Sequence, residues 1–144
     1  MGDLQTLKDL FASQRVGVLA RQREGEPFGC LVAFAAAEDL KCLLFATGRS
    51  TQKYLDIAQS PRVSMLIDSR SNQPADFEQA IAVTARGSAH EVTNSERDRL
   101  EAIYLAKHPY LTDFIHSRDT VLLRMDVDEY VIASFKEVKT LRPY

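Results

Sequence analysis

The chain is predicted to be mainly β, a small antiparallel barrel of six to seven strands with helices only at its edges. Three observations lead there. Short β-rich runs recur between turn signals such as Glu24-Gly25 and Glu38-Asp39. Helical spacing is confined to the stretches that flank or separate those runs. Strands joined by such short turns pair antiparallel, because parallel pairing needs long crossover connections.

The composition sets the frame. The 144 residues suit one domain spanning 1–144, with 45% hydrophobic and 26% charged residues and a formal charge of -2. No basic field advertises nucleic acid. The amphipathic N-terminus, MGDLQTLKDLF, matches neither a secretory signal nor a membrane span, and no polybasic patch accompanies Gly2 to support a lipid anchor. A cytoplasmic protein without membrane or nucleic-acid partners is expected.

Taken in order, Leu4, Leu7, Leu10 and Phe11 recur at helical spacing behind Asp3, a suitable N-cap, so a short amphipathic helix opens the chain. Arg15 to Arg21 and Pro27 to Ala36 read as a hairpin, and a third strand, Lys41 to Ala46, follows a turn at Glu38-Asp39. In that register Cys42 faces Ala35. Five residues, roughly 17 Å, then separate it from Cys30, too far for a disulfide. Both thiols are expected to be reduced.

The third strand ends in Thr47-Gly48-Arg49-Ser50, which supplies a turn, a cation and a helix cap in succession. With Ser50 as N-cap, the amides of Thr51, Gln52 and Lys53 have no partner inside the helix. Together with the helix dipole, the hydroxyls of Ser50 and Thr51, and the cations Arg49 and Lys53, they make a site suited to a dianionic phosphate. The helix runs from Thr51 to Ser60 with Tyr54, Leu55 and Ala58 on one face, and Pro61 stops it.

Arg62 to Asp68 is the fourth strand, Ser69 to Ala80 a long polar loop, and Ile81 to Val92 a long strand that bends at Gly87. Thr93 and Glu96 form a capping box opening a helix toward His108-Pro109, with a second helical segment from Tyr110 to Ser117. Thr120 to Ser134 and Phe135 to Leu141 complete the strands, and Asp126, Asp128 and Glu129 read as turn residues.

The runs VGVLAR, EPFGCLVAFA, LLFATGRSTQKY, SPRVSMLID and VTARGSAHEV resemble the pyridoxamine 5'-phosphate oxidase-like family of FMN-binding split barrels over roughly residues 10 to 141. DSRSNQPADF and YLAKHP are similar to a bacterial subgroup that includes haem-utilisation proteins. The resemblance implies a homodimer with FMN in the subunit interface. It places the phosphate on Arg49, Ser50, Thr51 and Lys53, and the isoalloxazine along Cys30, Leu31, Val32 and Ala33, with Ala46 and Thr47 nearby. Asn72 and Gln73, with Ser71, would reach the pyrimidine edge across the dimer. Two positions depart from the oxidase, which has an arginine at Cys30 and a glutamine near Ala82. The sequence also lacks the oxidase's C-terminal Arg- and Trp-containing segment, so oxidation of vitamin B6 is not expected.

A flavin carries its own redox chemistry, so no protein triad is required, and none is found. His90, His108 and His116 do not approach metal-ligand spacing and are expected to be solvated or capping; only the subgroup resemblance brings His108 and His116 toward haem or a substrate. No catalytic or metal-binding residue is assigned. Three functions follow: an FMN-dependent oxidoreductase acting on a small substrate or reduced nicotinamide; a non-catalytic flavin- or haem-binding protein for storage, sensing or haem utilisation; or a structural dimer that keeps only the fold.

Overall fold

Alternation of apolar and polar side chains turns one face of each β run toward a common interior. The computed structural model describes residues 2–144 apart from the Asn94 side chain. Its strands are β1 (Val16–Arg23), β2 (Glu26–Ala36), β3 (Cys42–Gly48), β4 (Arg62–Asp68), β5 (Ala82–Glu91), β6 (Thr120–Ala133) and β7 (Val138–Leu141). They lie antiparallel in the order β3-β2-β1-β4-β5-β6-β7, and β3 also pairs with β6. That last pairing closes six strands into a barrel and leaves β7 appended to β6, as the sequence predicts in outline.

The interior is filled by Leu19, Phe34, Leu43, Phe45, Met65, Ile67, Val83 and Met125, all fully buried. Helix α1 (Gly2–Ser13) adds Leu7, Leu10 and Phe11, with the Phe11 ring edge-on to Phe34 at 5.8 Å. At about 1.5–3 kcal/mol for each fully buried side chain, these three anchor α1 to the barrel. A second apolar cluster lies on the outer face of β2, β3 and β6. There α4 (Arg97–Lys107) and α5 (Thr112–His116) cover Ala35, Cys42, Leu44 and Leu122 with Leu100, Tyr104 and Ile115. Two short helices remain: α2 (Gln52–Gln59), directly after β3, and α3 (Asp76–Gln79), within the loop between β4 and β5.

Gly87 performs its expected role. The β5–β6 register shifts between Arg86 and Gly87, and a Cβ on Gly87 would collide with the Asp126 carbonyl oxygen. The bulge lets two long strands bend around the barrel corner.

Several local expectations are corrected. Helix α1 already includes Gly2, so Asp3 sits inside its first turn and pairs with Lys139 at 3.6 Å instead of capping. Phe34 faces Phe45 and Ala36 faces Leu43, two residues from the expected pairing. The cause is a longer turn, closed by Ala37 N–H donating to the Cys42 carbonyl, with Leu40 at φ 62° and its carbonyl held by the Tyr130 hydroxyl. A shift of two keeps every side chain on its face. It also carries Cys42 further from Cys30, and both cysteines are free.

Residues 94–96 form a 3-10 turn before α4, and Glu96 spends its carboxylate on Arg124 and Arg99 in place of the expected capping box. Finally, β6 runs unbroken through Asp126, Asp128 and Glu129. These acids pair with arginines (Asp126 with Arg124 on the same strand, Asp128 with Arg62 of β4, Glu129 with Arg86 of β5 and with Arg142), and the turn falls at Ser134 to Glu137.

Candidate functional site

The site begins where the barrel splits. β2 and β3 pair over only three positions, ending at Phe34 and Phe45. Beyond them β2 continues as a partner of β1 alone, and β3 continues through Ala46, Thr47 and Gly48 as a partner of β6 alone. Two strand edges therefore face each other without a ladder, and on them lie Cys30, Leu31, Val32 and Ala33 opposite Ala46 and Thr47. Unpaired edges carry free backbone donors and acceptors along one line, which is what a flat heteroaromatic with polar edges requires. Leu31 is 70% exposed, while Val32 is buried and Cys30 packs partly against the core, its Sγ 3.8 Å from the Leu19 carbonyl. The Ala33 carbonyl is already taken by the Tyr104 hydroxyl at 3.1 Å.

β3 leaves the split directly into the turn before α2. The cap of α2 is Thr51, not Ser50: its Oγ1 accepts from the Tyr54 amide at 3.2 Å and donates to the Gly48 carbonyl at 2.7 Å. Thr47, buried against it, shares a 3.2 Å hydroxyl contact with Thr51. Both threonines thus build the turn. The Thr51 amide is spent on the Gly48 carbonyl, leaving the amides of Gln52 and Lys53 without partners among the described residues. Ser50 is exposed, and Lys53 is half-buried with no acidic partner among the described residues.

Arg49 is not free. Its guanidinium grips Glu91 of β5 at 3.0 and 3.3 Å and lies 5.7 Å from the Tyr54 ring centre, while the Tyr54 hydroxyl donates to the same carboxylate at 2.9 Å. The hydrogen bond from Arg49 lowers the Glu91 pKa, and the bond to Glu91 raises that of Tyr54.

Sequence reasoning missed a second charged group at this end. Asp56 is buried beneath α2, where it accepts from Arg21 at 2.8 Å, from Arg23 at 3.0 Å and from Gln52 at 2.8 Å. The hydrogen bond from Arg23 above all holds its carboxyl far below the usual range. The buried face of α2 is therefore Asp56 and Ile57 with Tyr54 alongside; Leu55 and Ala58 are exposed. A signal was present. Arg21 and Arg23, two apart on a strand, must share a face, and Asp56 is the acid one helical turn after Gln52.

Asn72 and Gln73 lie elsewhere. Asp76 accepts from the amides of Ser71 and Asn72 and from the Ser71 hydroxyl, which fixes their loop, with Asn72 at φ 62°. They line a cavity of about 580 Å³ with Phe77 and Phe135, beside Ala82 at the start of β5. Glu91, which holds Arg49 beside the turn before α2, is nine residues along the same strand, about 30 Å. One chain does not bring the two groups together.

His108 was expected to be solvated or capping; it stands at the C-cap of α4, its backbone N–H donating to the Tyr104 carbonyl, but its ring is completely buried. Its Nε2 lies 2.8 Å from the Phe34 carbonyl and its Nδ1 3.2 Å from the Tyr110 hydroxyl, so neither nitrogen is open to a metal. His90 and His116 are exposed beside Asp126 and Glu101. Among the described residues no helix is long and apolar enough to cross a membrane.

A six-stranded antiparallel barrel, split between two strands and followed by a turn into a capped helix, defines the class of split-barrel folds. The pyridoxamine 5'-phosphate oxidase family model matches residues 4–132, and the chain belongs to that family. No curated protein matches the sequence. Solved structures share the fold at low identity. A heme binding protein from Mycobacterium smegmatis is 19% identical with a TM-score of 0.82, covering 93% of this chain and 55% of its own. General Stress Protein 26 from Bacillus anthracis is 19% identical with a TM-score of 0.75, covering 99% of each chain. A FAD-binding protein from Mesorhizobium loti is 14% identical with a TM-score of 0.72, covering 97% of this chain and 95% of its own. The chain thus spans about half of the mycobacterial protein.

Proposed function

We propose that the protein is an FMN-binding oxidoreductase that works as a homodimer, with flavin at each of two equivalent interface sites. The observation that carries this reading is the continuity of the open β3 edge, Ala46 to Gly48, with the capped turn of α2. The Gln52 and Lys53 amides, Ser50, Lys53 and Arg49, all on that turn, would hold the terminal phosphate. Cys30 to Ala33 flank the ring on the other edge. When bound, the flavin supplies hydride and electron transfer, and this chain supplies orientation and charge.

The residues fit that group. A turn with donors for one phosphate, and no dinucleotide-binding glycine fingerprint, favours FMN over FAD. The separation of Asn72 and Gln73 from the turn supports an interface site, since a second subunit would bring them to a ring that the first subunit holds by its phosphate. Its substrate class is a small molecule or a reduced nicotinamide. Two reduced cysteines suit a cytoplasmic setting. A non-catalytic flavin- or haem-binding role is the second reading, favoured by the fold likeness to the mycobacterial heme binding protein.

Chromophore released from the purified protein and compared with standards decides the cofactor: FMN is expected, and FAD, or no flavin after reconstitution, would sink the proposal. Stopped-flow mixing of the holoprotein with NADH or NADPH separates the readings, since an oxidoreductase bleaches the flavin band and a storage protein leaves it unchanged.

A further inference from the structure

A second cavity, about 460 Å³, lies between α1, α4 and the β2–β3 turn. Its walls are apolar (Phe11, Ala36, Leu40 and Ile103 among them), and its volume falls in the range of small-molecule sites. Lys107 and Lys8 stand on its rim. The Lys107 ammonium has gone inward: Nζ donates to the Phe11 carbonyl at 2.7 Å and lies 3.8 Å from the centre of the Phe34 ring. One of its three donors is used, and no carboxylate lies within 4.0 Å of it among the described residues, although Glu38 shares the rim. Arg15 adds a further positive charge nearby.

A half-buried cation without a carboxylate partner, on a side chain that lines an apolar cavity, suits a carboxylate that carries an alkyl tail. We propose that this cavity binds a medium-chain monocarboxylate, its alkyl chain between α1 and α4 and its carboxylate on Lys107, with Lys8 supporting. The site is separate from the split and does not depend on flavin. Burial and the charge of Arg15 push the Lys107 pKa down to about 8, as expected for an ammonium that lacks a partner; a bound carboxylate favours the charged form and raises it.

Calorimetric titration of the full chain with sodium hexanoate, octanoate and decanoate tests this. Affinity should rise about fourfold per methylene, the increment for burying each in an apolar slot. Decylammonium should bind at least tenfold more weakly than decanoate. Because Lys107→Met also removes a contact to the end of α1, a second variant, Ala106→Leu, fills the slot from an exposed helix position and leaves every charge in place. Loss of decanoate binding in Ala106→Leu, with the Lys107 Cε resonance titrating higher in the decanoate-loaded wild type, supports the proposal. Equal affinity for decanoate and decylammonium, no dependence on chain length, or unchanged binding in Ala106→Leu overturns it.

Discussion

At the scale of single residues, the turn before α2 separates side chains without a partner from scaffolding. Thr47 and Thr51 face inward and hold the turn, whereas Lys53 reaches no partner among the described residues. Lys53→Ala is therefore expected to weaken FMN roughly ten- to a hundred-fold, the loss of one charge-assisted contact worth about 1.5–3 kcal/mol. Lys41→Ala, at an exposed position beside the β2–β3 turn, should leave it unchanged. Fluorescence quenching of FMN by the two variants measures the difference, and equal affinities would move the phosphate elsewhere. Glu91 makes an opposite prediction. It holds Arg49 and adds a negative charge beside the turn, so Glu91→Gln should tighten FMN about two- to fivefold while leaving riboflavin, which has no phosphate, unaffected. Weaker FMN binding in that variant would instead make Glu91 the residue that aims Arg49.

At the scale of elements, α2 is fastened to β1 by a buried carboxylate shared among Arg21, Arg23 and Gln52. The folded-state pKa of Asp56 is depressed, so its contribution to stability is fully present above the unfolded value of about 3.9 and is lost as pH falls toward the folded value. Urea midpoints of the wild type should drop more steeply below pH 4 than those of Asp56→Asn, and parallel curves would remove this ion pair from the account. The β5 bulge is tested by Gly87→Ala, whose Cβ must displace the β6 backbone at Asp126. A loss of about 1–3 kcal/mol by urea denaturation is expected. An unchanged midpoint would mean that the two strands slide apart freely.

At the scale of the whole molecule, the proposed interface site rests on the open split and on the distance of Asn72 and Gln73 from it, and it predicts that a monomer holds no flavin. Flavin absorbance is expected to sediment only with a dimer across a range of concentrations. A flavin-loaded species of about 16 kDa would place the site within one chain. Exposed Leu31 and Phe28, on the part of β2 that pairs only with β1, are the apolar surface such a dimer would cover.

The barrel was legible because it rests on local signals. Alternation marks Arg62 to Asp68 as a strand wherever it packs, Gly87 announces a bend, and Pro61 stops a helix by its own stereochemistry. The strand-turn-helix of Thr47 to Lys53 was legible for the same reason: it is contiguous, so its cap and charges are close in space because they are close in sequence. The tertiary structure decided what depends on partners far along the chain. Whether Ser50 or Thr51 caps α2 depends on the Gly48 carbonyl and the buried Thr47; the availability of Arg49 depends on Glu91, 42 residues away. Asp56 is buried because two arginines from β1 arrive to hold it, and His108 because the Phe34 carbonyl of β2 accepts it. Local stereochemistry acts over a few residues and can be read directly. The burial of a charge requires a neighbour supplied by the closed barrel, and a linear pattern does not name that neighbour.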